Sequence, residues 1–343
     1  MNIDDAIDSA VDFLRRHQLP HGEFKTLLAQ DRKMSNPVFD SSPFVTSFVL
    51  YAFSHLDRAS IDEMASKALA FLRAEMEFGG VWRYWSSRQQ KHARLPPDLD
   101  DTSCISYALG IMGDSIPRNR WAFRCARDPQ GRFQTWLLPT RRSQLTPRFL
   151  FARSIGFCQA RLLAKGAVRE QPEDPRFRTM HIARDDVDPV VNANVILYLG
   201  ECAETTRAIQ YVIKTVQDHR PPFSLYYEDP LALYYAVARA HRHASPRLAT
   251  LRDTIVDRVR KVGGKRGTFA NPLCAALAAS VLLTYESCPK LIAGIIDYVL
   301  KMQREDGGWN AYPFYNVWGA EELTTAFCIE ALARFRPQVA KVP

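Results

Sequence analysis

The chain has no run of apolar residues long enough to cross a bilayer. Its longest uncharged stretches, such as PLCAALAASVLL from Pro272 to Leu283, fall well short of the roughly 20 residues a span requires. The first residues, MNIDDAIDSAVDFL, carry acids where a secretory leader needs bases. No C-x-x-C pair occurs: the seven cysteines, at 104, 125, 158, 202, 274, 288 and 328, are odd in number and widely scattered, which argues against a zinc knuckle or a disulfide framework and for reduced thiols. Also missing are a G-x-S-x-G elbow, a P-loop and a dinucleotide fingerprint, and Gly263 and Gly264 lack the preceding strand that a phosphate loop needs. No nucleic-acid recognition motif accompanies the net charge of +8, so nucleic acid is not an expected partner. Together these absences predict a soluble, cytoplasmic protein with no organic cofactor.

What is present is a composition able to fill a large core: 47% hydrophobic and 11% aromatic residues in 343, with 24% charged. The basic excess is densest at Arg124 to Phe133 and Thr140 to Arg153. A solvated surface is the commoner meaning of such a face. The alternative is phosphate binding, for which Arg141, Arg142, Arg148 and Arg153 are candidates because the guanidinium fork matches phosphate oxygens. The same charge leaves peripheral contact with an anionic membrane open.

A glycine or proline, a spacer and an aromatic recur six times along the chain: QLPHGEF (Gln18 to Phe24), MEFGGVW (Met76 to Trp82), DPQGRF (Asp128 to Phe133), HRPPF (His219 to Phe223), KRGTF (Lys265 to Phe269) and QREDGGW (Gln303 to Trp309). Upstream lie amphipathic segments such as AIDSAVDFLRRH, with apolar residues three and four apart. Downstream lie far less charged ones, such as NPLCAALAASVLL. A helix polar on one face belongs outside, and one apolar all round belongs inside. The expected fold is therefore all-α: one α/α toroid of six inner and six outer helices over residues 1–343.

Two elements carry a resemblance. QREDGGW matches the Q-x-x-D-G-x-W signature of squalene and hopene cyclases, and DLDDT (Asp98 to Thr102) matches their D-x-D-D-T element. The chain thus resembles the class II terpene cyclase family and, more loosely, the toroid of protein prenyltransferase β-subunits. The larger cyclases hold two helical domains, and this length has room for one; a second subunit, as in a homodimer, could supply the other half. The resemblance implies that Asp100 protonates a polyprenyl or terpenoid substrate, with Asp98 and Asp101 tuning its acidity and Thr102 behind them. It also implies aromatic walls for a carbocation, and Phe48, Tyr51, Trp82, Trp85, Tyr234, Tyr235, Trp309 and Trp318 are the candidates. The prenyltransferases hold zinc with Asp, Cys and His, but no D-x-C occurs here, which disfavours protein prenylation.

Acids at the start of a helix also cap it, and FDSSP, DDVDP, YEDP and GAEE precede other inner segments. Three acids in DLDDT exceed what a cap needs. A second cluster, Asp185, Asp186 and Asp188, precedes a segment carrying Asn192 and Asn194, amides that need partners if buried. Asp186 and Asp188 read equally as capping groups and as ligands for Mg²⁺ or another divalent metal. Beside the cyclase reading stand a metal-dependent enzyme on the same toroid and a non-catalytic binder of an isoprenoid or lipid. His92 and His181 sit beside the acidic clusters without metal-ligand spacing.

Overall fold

The computed structural model describes residues 2–138, 186–263 and 268–339. Arg141, Arg142, Arg148, Arg153, His181 and Asp185 lie outside the described residues. Within them are twelve helices: α1 (Ile3–His17), α2 (Pro43–Phe53), α3 (Arg58–Ala74), α4 (Leu99–Ile111), α5 (Arg120–Cys125), α6 (Pro189–Leu199), α7 (Thr206–Asp218), α8 (Pro230–His243), α9 (Arg252–Val262), α10 (Pro272–Thr284), α11 (Pro289–Lys301) and α12 (Glu321–Val339).

The inner helices close a ring: α2 packs on α4, α4 on α6, α6 on α8, α8 on α10, α10 on α12, and α12 back on α2. Outside them, α1 covers α12, α3 covers α2, α7 covers α6, and α9 and α11 cover α10. Burial follows the polarity read from the sequence. Every residue of α10 from Pro272 to Leu283 is buried, whereas α7 buries only Ala208, Ile209, Val212 and Val216, one stripe along its length. Proline opens α2, α6, α8 and α10 where a missing N–H costs nothing, and the preceding Ser42, Asp188, Asp229 and Asn271 each accept a backbone N–H of the first turn. The starts of α2, α4 and α8 lie on one rim of the ring, since Phe44, Asp98 and Tyr227 line a single cavity.

The recurring turns weld outer helices to their neighbours. Gln18 Nε2 donates to the Gly22 carbonyl (3.0 Å) and to the Met64 carbonyl on α3 (2.9 Å). Gln303 repeats this with Gly307 (2.7 Å) and Ala6 on α1 (2.9 Å), joining the last turn to the first helix. Gly22 and Gly307 have φ of +99° and +88°, and a Cβ on either would lie 2.0 Å from the Lys67 carbonyl oxygen or 2.2 Å from that of Ser9. Trp82 and Trp309 fill the layer between inner and outer helices, their Nε1 donating to the carbonyls of Leu72 (2.8 Å) and Val299 (2.9 Å). The backbone N–H groups of Phe24, Trp82, Phe133 and Trp309 go to Thr46, Thr102, Asn192 and Thr325, each near the start of an inner helix.

A feature absent from the sequence reading is a small sheet at the seam of the ring. β1 (Leu27–Leu28), β2 (Val38–Phe39), β3 (Tyr312–Tyr315) and β4 (Trp318–Ala320) are antiparallel in the order β2-β1-β4-β3, with Leu28 opposite Trp318. It ties the first repeat to the last on the rim that carries the aspartates. Among the described residues no helix is long and apolar enough to cross a membrane.

Candidate active site

The start of α4 is pinned on both sides: Asp98 N–H donates to the Trp82 carbonyl (3.2 Å) and Leu99 N–H to the Thr135 carbonyl (2.8 Å). Asp98 is the helix cap, its Oδ1 accepting the Asp101 N–H at 2.8 Å. The Asp101 carboxyl lies within hydrogen-bonding reach of the Asp98 side chain. One pair thus serves the cap and sets two carboxyls side by side. Asp100 faces other partners: its Oδ1 accepts from Asn194 Nδ2 on α6 (2.8 Å), and its Oδ2 accepts from the Tyr227 hydroxyl ahead of α8 (2.5 Å).

All three carboxyls are buried, and burial dominates their acidity. Desolvation, with the Asp100 charge adding to it, pushes Asp98 up to about 7 against the hydrogen bonds from Asp101. Desolvation and the Asp98 charge hold Asp101 well above the usual carboxylate range. Asp100 is also raised by desolvation, but Tyr227, Asn194 and the charge of Arg239 pull it the other way. Burial therefore favours the protonated form of Asp100, while two aligned donors and a guanidinium favour its conjugate base.

Asp98, Asp100 and Asp101 line a cavity of about 50 Å³. Its walls are the rings of Phe44, Tyr84, Trp136, Tyr226, Tyr227, Tyr315 and Trp318, with Thr135 and Asn316. Tyr315 meets Phe44 edge-on at 5.2 Å, and its hydroxyl lies 3.1 Å from that of Tyr84. On the other wall Trp136 donates to the Tyr226 hydroxyl (2.9 Å), which donates to Asp186 Oδ2 (2.6 Å). Apart from its acids, Thr135, Asn316 and the tyrosine hydroxyls, the cavity is lined by aromatic rings.

Of the residues singled out from the sequence, Trp318 and the three aspartates meet at this cavity. Trp85 stands behind it, edge-on to Tyr84 at 5.8 Å. Phe48 and Tyr51 lie in the ring interior against the Arg239 guanidinium, at 4.9 and 4.3 Å from their centroids, and Tyr235 joins them at 5.3 Å. Trp82 and Trp309 lie off the cavity in the interlayer positions described above, and Tyr234 faces Arg258 of the outer layer. The Thr102 hydroxyl is spent on the Trp82 turn and not on its aspartate neighbours. Asn192 is a turn anchor, whereas Asn194 holds Asp100.

Asp186 and Asp188 share the rim with the first cluster but are engaged by protein groups. Asp188 accepts the N–H groups of Val190 (2.8 Å), Val191 (3.3 Å) and Leu225 (3.2 Å), and burial pushes it up to about 7. Among the described residues no three His, Cys, Asp or Glu side chains converge as a metal site. The sequence reading missed Tyr227 and Tyr226, which appear there only beside the acids of YEDP. It also missed Tyr84, Tyr315, Phe44 and Trp136, for which no spacing signal exists.

The fold has known counterparts. A crystal structure of a protein from Actinoplanes superposes with a TM-score of 0.68 at 17% identity, covering 97% of this chain and 99% of that one. The type II terpene cyclase MstE from Scytonema, solved in complex with its substrate geranylgeranyl dihydroxybenzoate, gives a TM-score of 0.62 at 15% identity over 98% of this chain and 97% of that one. The ent-copalyl diphosphate synthase from Streptomyces platensis gives 0.58 at 14% identity, with 85% of this chain matching 50% of that one. No family model matches the sequence, and no curated protein matches it. At these identities the likeness establishes the toroid, and a toroid hosts more than one chemistry.

Proposed function

We propose that the protein is a class II terpene cyclase-like enzyme that starts a cyclisation by protonating the terminal alkene or epoxide of a polyprenyl substrate, with or without a diphosphate. The observation that carries this reading is Asp100, a buried carboxyl that lines an aromatic cavity, whose proton affinity desolvation raises and whose two oxygens Asn194 and Tyr227 hold. In the reaction the Asp100 proton passes to the CH carbon of the terminal (CH3)2C=CH unit, or to the oxygen of an epoxide whose C–O bond then breaks, the tertiary cation so formed is attacked by an internal alkene, and a final proton loss or capture by water ends the sequence. Asn194 and Tyr227 then stabilise the carboxylate left behind, so they act most strongly as the proton leaves. The rings of Tyr84, Tyr315 and Trp318 line the cavity, where their π electrons stabilise the cation and their bulk keeps water from it.

The likeness to MstE, matched over almost its whole length, supports a cyclase built on a chain of this size. A cavity of about 50 Å³ is smaller than the roughly 150 Å³ that accommodates benzene, so substrate must displace the lining rings as it enters. A divalent metal enters the reading only as counter-ion to a substrate diphosphate. The test is to incubate the purified protein with C10 to C20 polyprenyl diphosphates and with squalene, each with and without Mg²⁺, and to identify products by mass spectrometry. Cyclic products support the reading, and recovery of unchanged substrate by folded protein in every case rejects it.

A further inference from the structure

Asp40 belongs to FDSSP, which reads from the sequence as another capping segment, yet the cap of α2 is Ser42. Asp40 is buried at 3% exposure, and its Oδ2 receives two indole N–H groups, from Trp85 (2.9 Å) and Trp318 (2.8 Å). Those tryptophans lie 45 and 278 positions away in the chain. The Asp40 N–H is itself fixed on the Thr26 carbonyl at 2.9 Å. Among the described residues Asp40 has no ion-pair partner, so the two indoles are what its Oδ2 serves.

A buried carboxylate does two things to an indole that donates to it. The hydrogen bond is charge-assisted and fixes the ring plane, and it shifts electron density into the π system, which strengthens the negative ring face. Trp318 lines the cavity beside the three aspartates, stacked on Tyr315 at 6.0 Å and 11°. The other indole already has a cation over its face: Lys91 Nζ lies 5.8 Å from the Trp85 centroid.

We propose that Asp40 is a positioning residue that orients Trp318 and enriches its ring, making it the cation-attracting wall of the cavity. The inference rests on the cation-forming reading of the site given above. It adds a charge that never touches substrate and acts only through the indole.

The test uses two geranyl-chain probes, one ending in trimethylammonium and the other in the isosteric neutral tert-butyl group, with affinities for the full chain measured by calorimetry. The wild type should prefer the ammonium probe, and Asp40→Asn, which keeps an oxygen for both indoles, should cut that preference about three- to tenfold while binding of the tert-butyl probe holds. An unchanged preference in Asp40→Asn overturns the role of Asp40 and leaves the cation-forming reading intact. No preference in the wild type overturns both. Trp318→Phe provides the check should Asp40→Asn misfold: it keeps a ring but lacks the N–H, so it must lose the same preference, and retention of that preference overturns the proposal.

Discussion

Asn194 Nδ2 donates to Asp100 Oδ1 across 2.8 Å, tying α6 to the acid on α4 from 94 positions further along the chain. The bond matters most once the proton has gone, because a donor to a carboxylate is worth about 1.5–3 kcal/mol and a donor to a neutral acid less. Asn194→Ala should therefore lower kcat about 10- to 100-fold with little change in KM. Steady-state kinetics check this, and a rise in KM with kcat intact would mean that Asn194 shapes the cavity and leaves the acid alone.

Tyr227 gives the matching prediction in pH. Its hydroxyl pulls Asp100 down against desolvation, so Tyr227→Phe leaves the acid with a higher proton affinity. The donor must be protonated to act, and activity is lost as pH rises past its ionisation. The alkaline limb of kcat should move to higher pH in Tyr227→Phe while the plateau falls, because a weaker acid transfers its proton more slowly. A limb that stays in place would detach Tyr227 from the titration.

The two acids pushed up to about 7 make the fold sensitive to pH. An unfolded aspartate releases its proton near 3.9, whereas folded Asp98 and Asp188 hold theirs to about 7. The folded state thus binds more protons between these values, and stability, full below about pH 4, declines as pH rises to 7. The slope is at most about 1.4 kcal/mol per pH unit for each group. Asp188→Asn, which keeps a capping oxygen, should flatten the decline of Tm between pH 5 and 7, and an equally steep curve would refute the assignment.

Closure of the ring depends on Gly307, whose neighbourhood has no space for a methyl group. A Cβ there meets the Ser9 carbonyl oxygen at 2.2 Å, and φ of +88° is itself strained for any other residue. Gly307→Ala should cost several kcal/mol, on the order of the larger single-site losses, and lower Tm by roughly 5 °C or more. Gly294, whose Cβ would meet nothing within 4 Å, is the control: Gly294→Ala should be neutral or stabilising.

The fold was legible because its information is local and repeated. Polarity separates α10 from α7 within a dozen residues, and Gln18 and Gln303 announce the same turn twice. The acids of DLDDT were legible as a cluster, and Asn192 and Asn194 as amides in need of partners. Their division of labour was not, because Phe133 and Asp100 reach α6 from different repeats. Tyr227 and Tyr315 come to Asp100 and Asp101 only after the ring has closed, and nothing in their own neighbourhoods distinguishes them from core aromatics. The sheet escaped for a related reason: β1 has two residues and finds its partner β4 across the seam. Trp82 and Trp309 are the converse case: their regular spacing marks the repeat, and they do not line the described cavity.

The most direct measurement is turnover of a polyprenyl substrate by Asp100→Asn beside the wild type, with thermal unfolding of both. Asparagine keeps an oxygen for Asn194 and a polar group for Tyr227, so the fold should be retained, with Tm unchanged or higher once a buried carboxyl is removed. The account predicts that cyclic products disappear, at least about a 10³-fold loss of kcat, the order expected when a general acid is removed. Wild-type turnover by folded Asp100→Asn would contradict it.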